Sequence, residues 1–77
     1  MLLALNTLKV GAKAQVKSID PKGDAGQRLM SLGLLPGMLV NVVQVAPLGD
    51  PVALEFQGQR LSLRRSEASG VVVELCD

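Results

Sequence analysis

The sequence lacks histidine, tryptophan and tyrosine, and its single aromatic residue is Phe56. Without histidine, four kinds of site are excluded, because each needs an imidazole: the Ser-His-Asp triad, the Cys-His pair, the HExxH helix and the zinc site of two Cys and two His. Ser18 and Ser31 have no basic partner that the sequence can assign to them. The sequence therefore predicts that the protein is not an enzyme.

Cysteine is nearly absent as well, since Cys76, beside the carboxy terminus, is the only one. A single cysteine cannot form an internal disulfide, which excludes a disulfide-rich secreted scaffold and favours a reducing compartment. The apolar run at the amino terminus is short and has no basic n-region, and no stretch approaches the roughly 18 consecutive apolar residues that span a bilayer. We therefore expect a soluble protein in the cytoplasm.

Size and charge exclude further classes. The chain has 77 residues, 48% of them hydrophobic, and a net charge of +1. A chain of this length buries about 60% of the surface that its unfolded form exposes, which is enough for one aliphatic core. It is too apolar for intrinsic disorder, and its balanced charge does not indicate a polyanionic partner. We expect residues 1–77 to form a single, complete domain.

Most of the chain alternates apolar and polar residues with the period of two that is typical of strands. The alternation runs through residues 14–19, 52–56 and 60–64, and Gln57-Gly58 predicts a hairpin turn between the last two of these segments. Residues 38–45 are apolar on both faces except for Asn41 and Gln44, which predicts a central strand covered on both sides, and the valine-rich residues 71–75 predict a closing strand. The sequence therefore predicts an all-β fold, a small barrel of about five strands. Closure of the barrel would also leave no strand edge unpaired.

One segment departs from this rhythm. Residues 24–33, DAGQRLMSLG, predict a short helix between the first two strands, with Ala25, Leu29 and Leu32 on its inward face, Asp24 as its cap and Gly33 in the left-handed closing position. Pro36-Gly37 then predicts a type II turn, and a weaker helical turn is expected at residues 66–68. The predicted core comprises Leu29, Leu32, Val40, Val42, Leu54, Phe56, Leu61, Leu63 and Val73.

The charged residues offer weak candidates for a binding site. The arginines at 60, 64 and 65 form the main basic cluster, but nucleic-acid sites pair such charges with exposed aromatic residues, so a solvated strand face is the better interpretation. The loop carboxylates Asp20, Asp24 and Asp50 match no calcium-binding spacing. We predict no cofactor; ferrous iron or another transition metal stays an alternative that no ligand cluster supports.

The order of motifs resembles the FeoA family, the small ferrous iron transport proteins A. The resemblance rests on RLMSLGLLPG at residues 28–37, a valine-rich strand, APLGDP at 46–51 and the hairpin segment at 57–75, and Leu5, Leu8 and Gly11 extend it toward the amino terminus. It implies an SH3-like barrel in the bacterial cytoplasm that serves FeoB, the membrane ferrous iron transporter with a cytoplasmic GTP-binding region. The same module also occurs as the carboxy-terminal domain of metal-dependent repressors.

Two functions follow from the residues and the resemblance together. The first is an adaptor that binds and modulates the FeoB transporter through protein contacts; the alternative is a metal-responsive module that binds a transition metal itself. For the adaptor, we predict a partner-binding surface at the helix end and the turn after it. Its residues would be Met30, Leu35 and Met38, with Leu48 of the APLGDP loop as a neighbour.

Overall fold

The computed structural model describes residues 1–20 and 24–76, and over these ranges the chain is mainly β. The strands are β1 (Leu2–Ala4), β2 (Lys13–Ile19), β3 (Leu39–Val45), β4 (Val52–Phe56), β5 (Gln59–Leu63) and β6 (Val71–Leu75). The helices are α1 (Asp24–Ser31) and α2 (Arg65–Ala68), and Leu5–Thr7 forms a single 3₁₀ turn. No helix in these ranges has the length and apolar character needed to cross a membrane.

All six strands belong to one antiparallel sheet with the order β1-β6-β2-β3-β4-β5. A flat sheet of six strands would be about 24 Å wide but only one strand layer thick. The principal extents of this molecule are instead 27 × 26 × 25 Å, so the sheet is rolled around its own core. Register shifts between Val16 and Ser18 and between Val42 and Gln44 accompany this curvature.

The predicted all-β fold is confirmed, with one strand more than expected. The additional strand is β1, which pairs Leu3 with Val73 at the edge of the sheet. Its sequence, LLA, has no polar alternation, so nothing in residues 2–4 marks them as a strand. Because β1 comes first along the chain, α1 connects the second and third strands in chain order, β2 and β3. The weaker helical turn predicted at 66–68 is present as part of α2.

The hairpin of β4 and β5 has the predicted register. Phe56 pairs with Gln59 and Glu55 with Arg60, which leaves a loop of two residues. These two residues, Gln57 and Gly58, have φ values of 49° and 76°. Positive φ at both positions is the signature of the type I′ turn, whose twist matches that of the strands it joins.

The core lies inside the rolled sheet and is entirely aliphatic apart from Phe56. Its fully buried large side chains are Leu5, Leu29, Leu34, Leu54, Leu63, Val16, Val40, Val42, Val52, Val71 and Val73. Seven of the nine predicted core residues are buried, and Leu61 is half-buried against the core. The prediction that Leu32 belongs to the core is wrong, because this side chain is exposed. The amino-terminal leucines, Leu5 and Leu8, were not in the predicted set, although both are buried.

The inward face of α1 differs from the predicted one. Leu32 is 42% exposed, whereas Gly26 and Leu29 are buried and Met30 packs partly buried against the core. At 100° per residue, this face is centred roughly 80° away from the one predicted. The cause is Gly26: a Cβ on this residue would overlap the carbonyl oxygen of Asp20, so only glycine lets the helix lie this close to the end of β2.

Asp24 is the first residue of α1, where its charge favours the helix amino terminus. The residue before it lies outside the described ranges, so the predicted capping role of Asp24 stays a prediction.

The predicted left-handed position of Gly33 at the end of α1 is confirmed. Gly33, with φ of 99°, donates its N–H to Met30 O at 3.0 Å, and Leu34 donates to Leu29 O at 3.0 Å. This pair of bonds is the Schellman motif, and it turns Leu34 into the core.

Candidate functional site

The segment that joins α1 to β3, residues 32–38, is held at both ends by backbone hydrogen bonds. After the Schellman motif, Met38 N–H bonds to Leu35 O at 3.3 Å across Pro36-Gly37, with φ of 94° at Gly37. This is the predicted type II turn. The turn is fastened to β2, because Gly37 N–H donates to Val16 O at 2.7 Å and Gln15 Nε2 donates to Gly37 O at 3.2 Å. The segment is therefore a fixed surface feature.

Of the four predicted site residues, Leu35 is exposed as expected, at 47%. The two methionines lie deeper. Met30 and Met38 are each half-buried and pack against the core. Met38 Sδ also accepts a hydrogen bond from Leu35 N–H at 3.2 Å. The two methionines therefore lie between this segment and the core, whereas Leu35 projects into solvent.

Leu48 is 90% exposed, but the structure does not place it beside the other three. Met38 directly precedes β3, and Leu48 follows the opposite end of that strand. Seven residues of strand separate the two positions by about 20 Å of chain. The loop that carries Leu48 packs instead near α2, where Asp50 Oδ1 accepts the N–H of Arg65 at 3.2 Å.

Two further leucines extend the exposed apolar surface at the helix end. Leu32 is 42% exposed at the end of α1, and Leu39 is 65% exposed on the outer face of β3. We call Leu32, Leu35 and Leu39 the turn patch. The exposure of Leu39 could be predicted from the sequence, because strand alternation places it on the face opposite to Val40 and Val42, which are buried. For Leu32 the signal is weaker, since it depends on how closely Gly26 packs.

A cleft of about 140 Å³ lies between α1 and α2, lined by Ile19, Asp20, Ala25, Gly26, Leu29, Ser66, Glu67, Ser69 and Gly70. Its carboxylate Glu67 bridges the two helices. One oxygen accepts Arg64 N–H at 2.9 Å, and the other forms an ion pair with the Arg28 guanidinium. The Arg64 N–H, and after it Arg28, lower the pKa of Glu67 below its ordinary value of 4.5, although burial opposes them.

This lowered pKa makes the carboxylate of Glu67 stabilising above pH 4.5, and the stabilisation is lost as the pH falls through the folded-state pKa. Glu67→Gln should therefore lower the free energy of unfolding by about 1 kcal/mol at pH 7, because Arg28 is half exposed and water screens the pair. Urea titrations at pH 7 and pH 3 should show this difference shrinking in acid. Glu55→Gln is the control, since Glu55 forms no ion pair with any described residue. An equal loss at both pH values would contradict the prediction.

The weaker candidates from the sequence have structural roles or lie apart. Over the described ranges, no group of three or more His, Cys, Asp or Glu residues is placed to hold a metal ion. Asp50 accepts a hydrogen bond from the start of α2, and Cys76 is an exposed free thiol. The arginines Arg60, Arg64 and Arg65 are all exposed at β5 and the start of α2.

The fold and the turn patch together define a class: a small rolled antiparallel β domain, SH3-like in architecture, that presents a fixed apolar surface. Residues 3–75 match the family described as the FeoA domain. The chain belongs to the FeoA family, which is linked to ferrous iron transport. The resemblance noted in the sequence is therefore confirmed.

Among relatives, the chain is 34% identical over 73 residues to the "Fe(2+) transport protein A/Fe(2+) transporter FeoB fusion protein" of Porphyromonas gingivalis. The match covers 95% of this chain and 9% of that protein, so the chain spans about a tenth of the length of this relative. In the fusion protein, a segment similar to this chain is part of one polypeptide with a ferrous iron transporter.

Solved structures share the fold. The FeoA-like protein of Clostridium acetobutylicum has a TM-score of 0.91 and 34% identity, covering 99% of this chain and 88% of that one. The zinc-complexed FeoA of Stenotrophomonas maltophilia, described as an SH3 domain protein, has a TM-score of 0.82 and 32% identity, covering 94% and 89%. A manganese-dependent transcriptional repressor has a TM-score of 0.88 at 13% identity, covering 97% and 42%, which shows a common fold alone.

Proposed function

We propose that this protein binds a FeoB-type membrane transporter and modulates ferrous iron uptake through protein contacts. The observation that carries the proposal is the fusion protein, in which a segment 34% identical to this chain is covalently joined to a FeoB transporter. In this proposal, a binding contact takes the place of that covalent link. The docking partner in this proposal is the cytoplasmic GTP-binding region of the transporter.

The turn patch is the surface that we assign to this contact. Leucine side chains that stay about half exposed have apolar area left to bury. Complete burial of an exposed leucine is worth about 1.5–3 kcal/mol, so covering the exposed half of one is worth roughly 1 kcal/mol. The segment is held by the Schellman motif and by bonds from Val16 and Gln15, so little conformational entropy would be lost when a partner covers it. Half-buried Met38 lies beneath the segment, and its flexible side chain can adjust to the shape of a partner.

Leu35→Glu should weaken binding to the GTP-binding region at least tenfold while the melting temperature stays within a few degrees of wild type. The expected loss follows because a charge would be desolvated at the contact, whereas Leu35 is 47% exposed and absent from the core of the free protein. Binding is measured by calorimetry or biolayer interferometry with the purified GTP-binding region of the transporter from the same organism, and iron uptake is followed in cells that carry each variant.

Val10→Glu is the matched control, because Val10 is 60% exposed in a different part of the chain and should tolerate the same change. Full binding by Leu35→Glu would contradict the proposed surface. Unfolding of Leu35→Glu would show instead that Leu35 supports the fold. If the wild type itself does not bind, the proposed function fails.

A further inference from the structure

Strand β5 forms one edge of the sheet, and it has few of the features that protect edges from pairing. Within the described residues its hydrogen-bonded neighbour is β4 alone. It is five residues long, contains neither Pro nor Gly, and pairs with β4 without a register shift. Natural edges are usually short, bulged, proline-bearing or charged. Of these protections, β5 has only charge.

The backbone groups that face outward from this edge follow from the register. In a hairpin with a two-residue loop, the pair that flanks the turn is directly hydrogen-bonded, and bonded pairs then recur at every second position. Phe56 with Gln59, Leu54 with Leu61 and Val52 with Leu63 are therefore the bonded pairs. Arg60 and Ser62 consequently point their N–H and C=O groups away from β4. None of these four groups has a partner in the part of the chain that the structure describes.

The side chains along this edge are basic on one face and apolar on the other. Arg60, Ser62 and Arg64 are exposed, whereas Leu61 is half-buried and Leu63 is fully buried. The described residues contain no ion pair to either arginine. On β4, Glu55 lies directly opposite Arg60. The carboxylate of Glu67 is bonded to Arg28 and to the Arg64 N–H. Neither guanidinium group is held in an ion pair, so both are available to a segment of opposite charge, although Glu55 faces Arg60 and the charge of Arg64 attracts Glu67.

We propose that the β5 edge accepts an extended acidic segment of a partner protein as an additional strand. Backbone bonds to Arg60 and Ser62 would hold the segment. Because side chains alternate, acidic residues at every second position would lie beside Arg60 and Arg64, while the residues between them would lie beside Leu61. This site is separate from the turn patch, so the proposal does not depend on the proposed function.

Charge also decides against a second copy of this chain as the occupant. Pairing of β5 with β5 of another molecule would bring the arginines of the two copies close together, and like charges across a strand pair are unfavourable. The same arginines favour a segment of opposite charge. The arginines would thus oppose pairing between two copies of this chain and favour pairing with an acidic strand. Edge charges commonly have both effects, because repulsion of one partner adds to the specificity for another.

The test uses the complete chain and a synthetic probe, the peptide GSEVEVEVSG with blocked ends, titrated into ¹⁵N-labelled protein and followed by NMR. We expect saturable shifts centred on β5, together with at least tenfold slower hydrogen exchange at the Arg60 and Ser62 amides. The peptide GSKVKVKVSG should not bind. If the acidic peptide binds elsewhere, or leaves both amides exchanging as before, the proposal is wrong.

Two variants separate the contributions of backbone and charge. Ser62→Pro removes an outward N–H without touching the bonds to β4, so the fold should persist and peptide affinity should fall at least tenfold. Arg60→Glu with Arg64→Glu should abolish binding, and Lys9→Glu with Lys13→Glu, an equal charge change at exposed sites, should not. If Ser62→Pro unfolds, the exchange measurement on wild type and the arginine variant still decide the outcome.

Other occupants would give different results. Binding of a single-stranded oligothymidylate that depends on both arginines, with no peptide binding, would assign the surface to nucleic acid and overturn the proposal. Protection of the Arg60 and Ser62 amides that rises with protein concentration in the absence of peptide would assign the edge to a second copy. Peptide binding that survives Ser62→Pro in a folded protein would exclude strand addition.

Discussion

Leu54→Ala should lower the free energy of unfolding by about 2–5 kcal/mol, the range found when a buried leucine is truncated and the cavity closes only in part. Leu54 is fully buried on β4, and its strand pairs with both β3 and β5, so no neighbour can move in without disturbing a ladder on either side. A domain of this size has little stability to lose, since total stabilities of about 5–15 kcal/mol are usual. Urea unfolding followed by circular dichroism measures the change.

Leu48→Ala is the control for this experiment. Leu48 is 90% exposed, so the same truncation removes almost no buried area there and should change stability by less than about 0.5 kcal/mol. A loss below about 1 kcal/mol for Leu54→Ala would mean that the rolled sheet does not enclose this side chain as described. The difference between the two variants is informative because each removes the same atoms.

Much of the fold could be predicted because strands and turns have local signals. The alternation of Val52, Leu54 and Phe56 places three side chains on one face, and Gln57-Gly58 fixes the register of the hairpin through its turn type. The positive φ of Gly33 was likewise predictable from the end of the helical pattern. Strand β1 was not, because its three residues pair with β6 only through contacts that are distant in sequence.

The site was harder to predict, since exposure depends on how elements pack rather than on their pattern. Leu35 follows the helix-closing motif and lacks a core position, so its exposure could be expected. Apolar character alone groups Leu48 with Leu35, although the length of β3 separates them. The sequence does not predict the open edge at β5, for a related reason. A predicted closed barrel has no edges, and only the strand order shows that β5 pairs on one side within the described chain.

Gly26→Ala should destabilise the protein by about 2 kcal/mol or more, against the trend that helix propensity alone would predict. In the interior of an exposed helix, replacing glycine by alanine stabilises by about 1 kcal/mol. Here the added Cβ would overlap the carbonyl oxygen of Asp20, and that atom belongs to the backbone at the end of β2. Backbone cannot rotate aside as a side chain does, so α1 must move away from the sheet, at the cost typical of overpacking.

Such a movement would also reach the turn patch, because α1 leads directly into the Schellman motif and the turn fastened to Val16. Gly26→Ala should therefore shift NMR signals of residues 32–39 as well as lower the melting temperature. Gly70→Ala is the matched control, since a Cβ there would lie 3.4 Å from Asp20 Cβ, an ordinary contact, and should change stability little. If Gly26→Ala proves neutral or stabilising, α1 does not pack this closely on β2, and the exposure of Leu32 needs a different explanation.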